Sequence, residues 1–102
     1  MKKIGIIHTT YATIDSLNAL IKEKIADAEI INILDDSILG DMREKHEVEF
    51  VRSRWIAYAE TLEKLGADAV LSACSTVGQF AEEADRMLRI PVSVSYTHLR
   101  AH

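Results

Sequence analysis

Apolar positions along the chain alternate between two rhythms. KKIGIIHT carries isoleucine at 4, 6 and 7 and reads as a strand buried on both faces, the kind found in parallel sheets. From Ala12 to Ala28 the spacing changes: Ile14, Leu17, Leu20, Ile21 and Ile25 fall on one helical stripe, and Thr10 or Thr13 is placed to cap it. Asp15 near the start suits the helix dipole. EIINILDDS supplies a second strand, Ile30 to Leu34, ended by two aspartates. The polar stretch Gly40 to Glu47 predicts loop or frayed helix. Val51, Trp55, Tyr58, Ala59, Leu62 and Leu65 then mark a long amphipathic helix, stopped by Gly66. DAVLSAC is a third strand. Gln79 to Leu88 is a helix with Phe80, Ala84, Met87 and Leu88 expected inward, and IPVSV a fourth strand, with Pro91 tolerable near its start.

Strands that alternate with helices predict an α/β fold with a four-stranded parallel sheet, order 2-1-3-4, and helices on both faces. In that order the chain reverses between strands 1 and 3, and ligands of open α/β sheets bind at the carboxyl ends of strands beside such a reversal.

Composition mainly excludes. With 102 residues, 48% hydrophobic and 27% charged, the chain reads as one globular domain or a piece of one. The net charge of −4 is spread over the length, without the basic cluster that nucleic acid demands. The apolar runs are too short to span a bilayer, and MKKIGIIHTT is too short in its apolar part for a signal peptide. A single cysteine cannot form an internal disulfide, which agrees with a reducing compartment, so a cytoplasmic location is expected.

The tail breaks the pattern. Val94–His102, VSYTHLRAH, has neither strand nor helix period. Read back as GTC TCT TAT ACA CAT CTC CGA GCC CAC, it resembles a translated transposase sequencing adapter. The expected organisation is therefore an α/β lobe over 1–93, truncated, followed by a non-native tail over 94–102. His98 and His102 are accordingly not read as metal ligands.

The candidate chemistry centres on LSACSTVG, Leu71 to Gly78. Taken alone, a free cysteine is most often a small buried hydrophobe. Cys74, however, closes the third strand of this reading and precedes a helix start, where unpaired N–H groups and the dipole lower a thiol pKa and seat anions. Ser75 and Thr76 follow it; helix capping and carboxylate binding are both open to them. Thr9 and Thr10, at the end of the first strand, should lie beside Cys74, either lining the same crevice or capping the first helix. His8 is read as a hydrogen-bonded structural histidine before a general acid. Asp35 and Asp36 fit turn chemistry better than a cation site. GIIHTTYAT lacks the glycines of a phosphate loop.

KKIGIIHTT, INILDDS and especially GADAVLSACSTVG resemble the aspartate/glutamate/hydantoin racemase superfamily, over Met1 to about Ser93. Ala73, Cys74, Ser75 and Thr76 match its motif of alanine, cysteine, serine or asparagine, and threonine or serine. The resemblance implies an isomerase of two similar α/β lobes with the site between them. One cysteine from each lobe removes or returns the α-proton of a carboxylate-bearing carbon, without cofactor or metal. It implies Cys74 as one acid/base group, Thr76 and the turn N–H groups as the carboxylate seat, and Thr9 and Thr10 as pocket lining. A small carboxylate is the expected partner, with neither nucleic acid nor membrane; a homo-oligomer of the full-length parent is compatible with it. HTTYAT differs from the Asp-Ser-Gly loop of glutamate racemase, which points away from glutamate, and Ser75 stands for the more frequent asparagine. The second lobe and its cysteine are not in this sequence, so the chain by itself is expected to be inactive. Alternatives are a single-cysteine decarboxylase or cis-trans isomerase of the same superfamily, or a non-catalytic carboxylate-binding module. A regulatory flavodoxin-like domain ranks last, since no acidic partner ends the first strand.

Overall fold

The computed structural model describes residues 2–94; the histidines of the tail, His98 and His102, lie outside them. Four strands, β1 (Lys3–His8), β2 (Glu29–Leu34), β3 (Ala69–Ser72) and β4 (Val92–Ser93), form one sheet in the order β2-β1-β3-β4. Every pairing is parallel, with Ile4 opposite Ile30 and Ala69, and Val70 opposite Val92. The helices are α1 (Ile14–Lys24), α2 (Ile38–Arg43), α3 (Val48–Lys64) and α4 (Gly78–Met87). Short 3₁₀ turns, Tyr11–Thr13 and Ser75–Val77, lead into α1 and α4. Among the described residues no helix is long and apolar enough to cross a membrane.

Alternation along the strands builds two cores. Ile4 and Ile6 of β1, with Ala69 and Leu71 of β3, meet Ile21 of α1 on one face. Ile7 and Val70 meet Ile38, Val51, Trp55, Ala59, Leu62 and Phe80 on the other. The second face is the tighter one. A Cβ at Gly5 would stand 2.7 Å from Leu62 Cδ1, so the absent side chain lets α3 approach the sheet. Gly66 ends α3 with φ of 91°, and its N–H donates to Glu63 O while that of Ala67 donates to Leu62 O. This is the Schellman arrangement, in which a left-handed glycine satisfies the last carbonyls of a helix.

Several boundaries differ from the sequence expectation. The first helix begins at Ile14 and ends at Lys24, inside the range 12–28. Thr10 and Thr13 occupy N-cap positions, but neither hydroxyl caps; that of Thr13 is drawn to His8 instead. Residues 38–43 are helical where loop or frayed helix was expected from Gly40 onward, because Ile38 is fully buried and anchors α2 in the core. Leu65 and Met87, expected inward, are 51% and 55% exposed. Both stand at helix ends, Leu65 as the C-cap of α3 and Met87 as the last residue of α4. The fourth strand is confined to two residues, its Val92 N–H held by Asp85 Oδ1 at 2.8 Å.

Candidate functional site

The carboxyl ends of β1 and β3 are neighbours at the point where strand order reverses. The β1–β3 ladder pairs Ile7 with Ser72 and extends one step further, through the Ala73 N–H to Ile7 O at 3.0 Å. Cys74 therefore lies two residues past the end of β3 rather than closing it. Its backbone remains extended, at φ −133° and ψ 125°, and it occupies the N-cap position of the Ser75–Val77 turn without a side-chain capping bond. Ser72 takes over from the missing ladder. Its buried hydroxyl donates to the Cys74 carbonyl at 3.0 Å, and the Cys74 N–H reaches its oxygen at 3.4 Å. Sequence reading missed Ser72; a small hydroxyl residue two positions before the cysteine on the same strand face is the signal that could have found it.

The half-buried thiol of Cys74 is contested by two effects. Burial pushes it up, because a charge in apolar surroundings loses solvation. The Thr9 and Thr76 hydroxyls and the N–H groups of Thr76 and Val77, turned toward the sulphur, favour the thiolate and win; the net displacement is downward. The two N–H groups can only donate, so this surrounding suits an anion better than a neutral thiol. Thus Cys74, Thr76 and Thr9 are brought into one cluster, whereas Thr10 is half-buried and Ser75 exposed beside it. Free cysteine lowered by helix-terminal donors has the chemistry of a nucleophile or proton acceptor.

His8 does not join them. It is fully buried, with Nδ1 at 2.7 Å from Thr13 Oγ1 and Nε2 at 2.7 Å from Asn32 Oδ1. Asn32 and Asn18 exchange reciprocal amide hydrogen bonds at 3.0 Å, which turns Asn32 Oδ1 toward the ring. In the neutral ring Nε2–H then donates to Asn32 and Nδ1 accepts from Thr13. Along β1 His8 shares the α1 face with Ile4 and Ile6, while Cys74 packs on the α3 face. The histidine is structural, as the sequence reading preferred.

Asp35 also proves structural. Its carboxylate accepts from the Ser37 N–H at 3.0 Å and hydroxyl at 2.6 Å, from Tyr58 at 2.6 Å and from Arg54 at 3.0 Å. Arg54 also donates to Asp41 at 2.8 Å and lies 4.5 Å above the Phe50 ring, so it ties α2 to α3. Burial raises the Asp35 pKa, but the bonds from Ser37, Tyr58 and Arg54 overcome it, and it falls from 3.8 to about 2. A carboxylate depressed by folding stabilises the native state above its unfolded pKa and loses that contribution as pH falls through the folded one. With the Asp35 side chain only 14% exposed, the effect is about 2 kcal/mol. Asp35→Asn should lower the urea midpoint at pH 7 and flatten its decline between about pH 4 and 2. Parallel pH curves for the two proteins would contradict this.

Elsewhere, a cleft of about 320 Å³ between α3 and α4 is lined by Val48, Arg52, Gln79, Phe80 and Glu83 among others, without Cys74. Its wall is closed by Arg52, which grips Glu83 through Nε at 2.7 Å and also through Nη2. Among the described residues no three His, Cys, Asp or Glu side chains gather as a metal site. Fold and site together define a doubly wound parallel α/β protein with a donor-ringed thiol at its strand-order reversal. No family model and no curated protein matches the chain.

Proposed function

We propose that this chain is one α/β lobe of a cofactor-independent racemase acting on a small carboxylate of the acidic amino acid or hydantoin type, with Cys74 as one of two acid/base groups. The observation that carries the reading is the placement of Cys74 at the start of the Ser75–Val77 turn, at the crevice between β1 and β3, where neighbouring hydroxyl and N–H groups pull its thiol pKa down. A thiolate there can accept the α-proton of a bound carboxylate. As the sulphur becomes neutral it needs fewer donors, and the Thr76 hydroxyl and turn N–H groups become free to meet negative charge growing on the substrate carboxylate. Interactions gained as charge moves lower the barrier, rather than merely tightening binding. Thr10 and Ser75, on the rim, complete the carboxylate seat.

Inversion requires a second group on the opposite face of the carbon. His8 is engaged at both ring nitrogens and faces α1, so it does not serve. The second group belongs to a second lobe outside this chain, consistent with one thiol in a reducing cytoplasm. The test is isotope exchange in heavy water by the longer, two-lobed protein, over a panel of acidic amino acids and hydantoins. Deuterium should enter at the α-carbon of the substrate without added cofactor. Turnover with loss of carbon dioxide would replace the racemase by the single-cysteine decarboxylase. Binding without any exchange would leave a carboxylate-binding module.

A further inference from the structure

We infer that Thr9 is a positioning residue: its buried hydroxyl donates to Cys74 Sγ and holds the sulphur as a thiolate at the crevice, instead of seating substrate. This rests on the reading of Cys74 as the proton acceptor. Two lines of geometry carry it. The first is register. Ile7 faces Ser72 and the ladder continues to Ala73, so two steps along each strand set Thr9 beside Cys74. The second is parity. Ile7 lies in the core under α3, Thr9 shares its face, and Cys74 packs on that same core, so hydroxyl and sulphur meet on one side of the sheet. Thr9 is only 5% exposed, which keeps it from a substrate above the crevice while Thr10 remains on the rim. The titratable neighbour on β1, His8, points to the opposite face. The remaining donors to the sulphur, Thr76 and Val77, come from the turn that follows it.

The experiment follows the rate of iodoacetamide labelling of Cys74 against pH, in the 102-residue chain and its variants. Losing one hydrogen bond to an ionised group reduces the thiolate fraction about tenfold below the inflection. A more basic thiolate is also more nucleophilic, so the net slowing at neutral pH is about threefold. Thr9→Val should therefore move the inflection to higher pH, label more slowly at neutral pH and label faster on the alkaline plateau. Thr9→Ser should restore the parental curve. A turn that was merely loosened would label faster at every pH with its inflection unmoved; that result, or an unchanged curve, overturns the inference. If Thr9→Val does not fold, ultraviolet titration of the thiolate in Thr9→Ala and Thr9→Ser decides, the inference requiring that the two differ. Labelling needs no turnover. A shifted Thr9→Val curve, where the two-lobed protein exchanges no deuterium, would uphold the role of Thr9 and end the racemase reading. Exchange that depends on Cys74, beside an unmoved Thr9→Val curve, would do the opposite.

Discussion

Cys74→Ala in the proposed two-lobed enzyme should reduce deuterium entry at the α-carbon of the enantiomer that Cys74 deprotonates by about a thousandfold or more, since a positioned acid or base contributes roughly 10²–10⁴ and a methyl group accepts no proton. Nuclear magnetic resonance of the recovered substrate measures it directly. The Cys74 environment makes the prediction sharper. Its donors pull the thiol pKa down, whereas a serine hydroxyl in the same place is far less acidic than a thiol. Cys74→Ser should be nearly as inactive as Cys74→Ala, although the hydroxyl keeps a polar atom among the same donors. Deuterium wash-in at the parental rate in Cys74→Ala would remove Cys74 from the mechanism. The chain studied alone should not interconvert enantiomers, because it supplies a group to only one face of the carbon.

The second large effect is on stability. Trp55 is fully buried on α3, among the residues that join α2, α3 and the sheet. Truncation to alanine leaves a cavity that close-packed neighbours fill only in part, at a cost of about 3–5 kcal/mol. Against a total of about 5–15 kcal/mol for a domain, that takes about a fifth or more of the stability, and the urea midpoint should fall by about 2 M. Trp55→Phe should behave differently. Trp55 Nε1 is buried without a hydrogen-bond partner among the described residues, a state that itself costs about 1–3 kcal/mol. Phenylalanine loses some volume but also removes that unpaired donor, so its midpoint should stay much nearer the wild type. Equal losses for the two variants would show that packing volume alone counts at this position.

The same physics separates what was legible in the chain from what was not. Short apolar runs and helical spacing named β1, β2, β3, β4, α1, α3 and α4, since a run between polar turns marks a buried strand and a helical stripe marks the face that meets apolar neighbours. Gly66 announced the end of α3, because a left-handed terminus selects glycine locally. Periodicity failed at Leu65 and Met87, where the stripe continued but the packing partner did not. It failed also at α2, whose six residues are too few to display a period and are held by Ile38 in a core built by other elements.

Side-chain partnerships divide in the same way. Strand order 2-1-3-4 followed from alternating elements, so the approach of the Thr9–Thr10 end to the Cys74–Thr76 turn was readable before any coordinates. Which of those hydroxyls touches the sulphur was not. Nor was the capture of Asp35 by Arg54 and Tyr58, or of His8 by Asn32, across separations of 19, 23 and 24 residues. The sequence by itself determined the elements, the sheet and the end of it where the chemistry gathers, because local sterics and apolar spacing act within one segment. Tertiary structure alone decided that Ser72 braces Cys74, that Thr9 turns to the thiol and that His8 turns away. Those choices depend on strand register and on which face each side chain shares, and both are set only when segments distant in the chain are packed together.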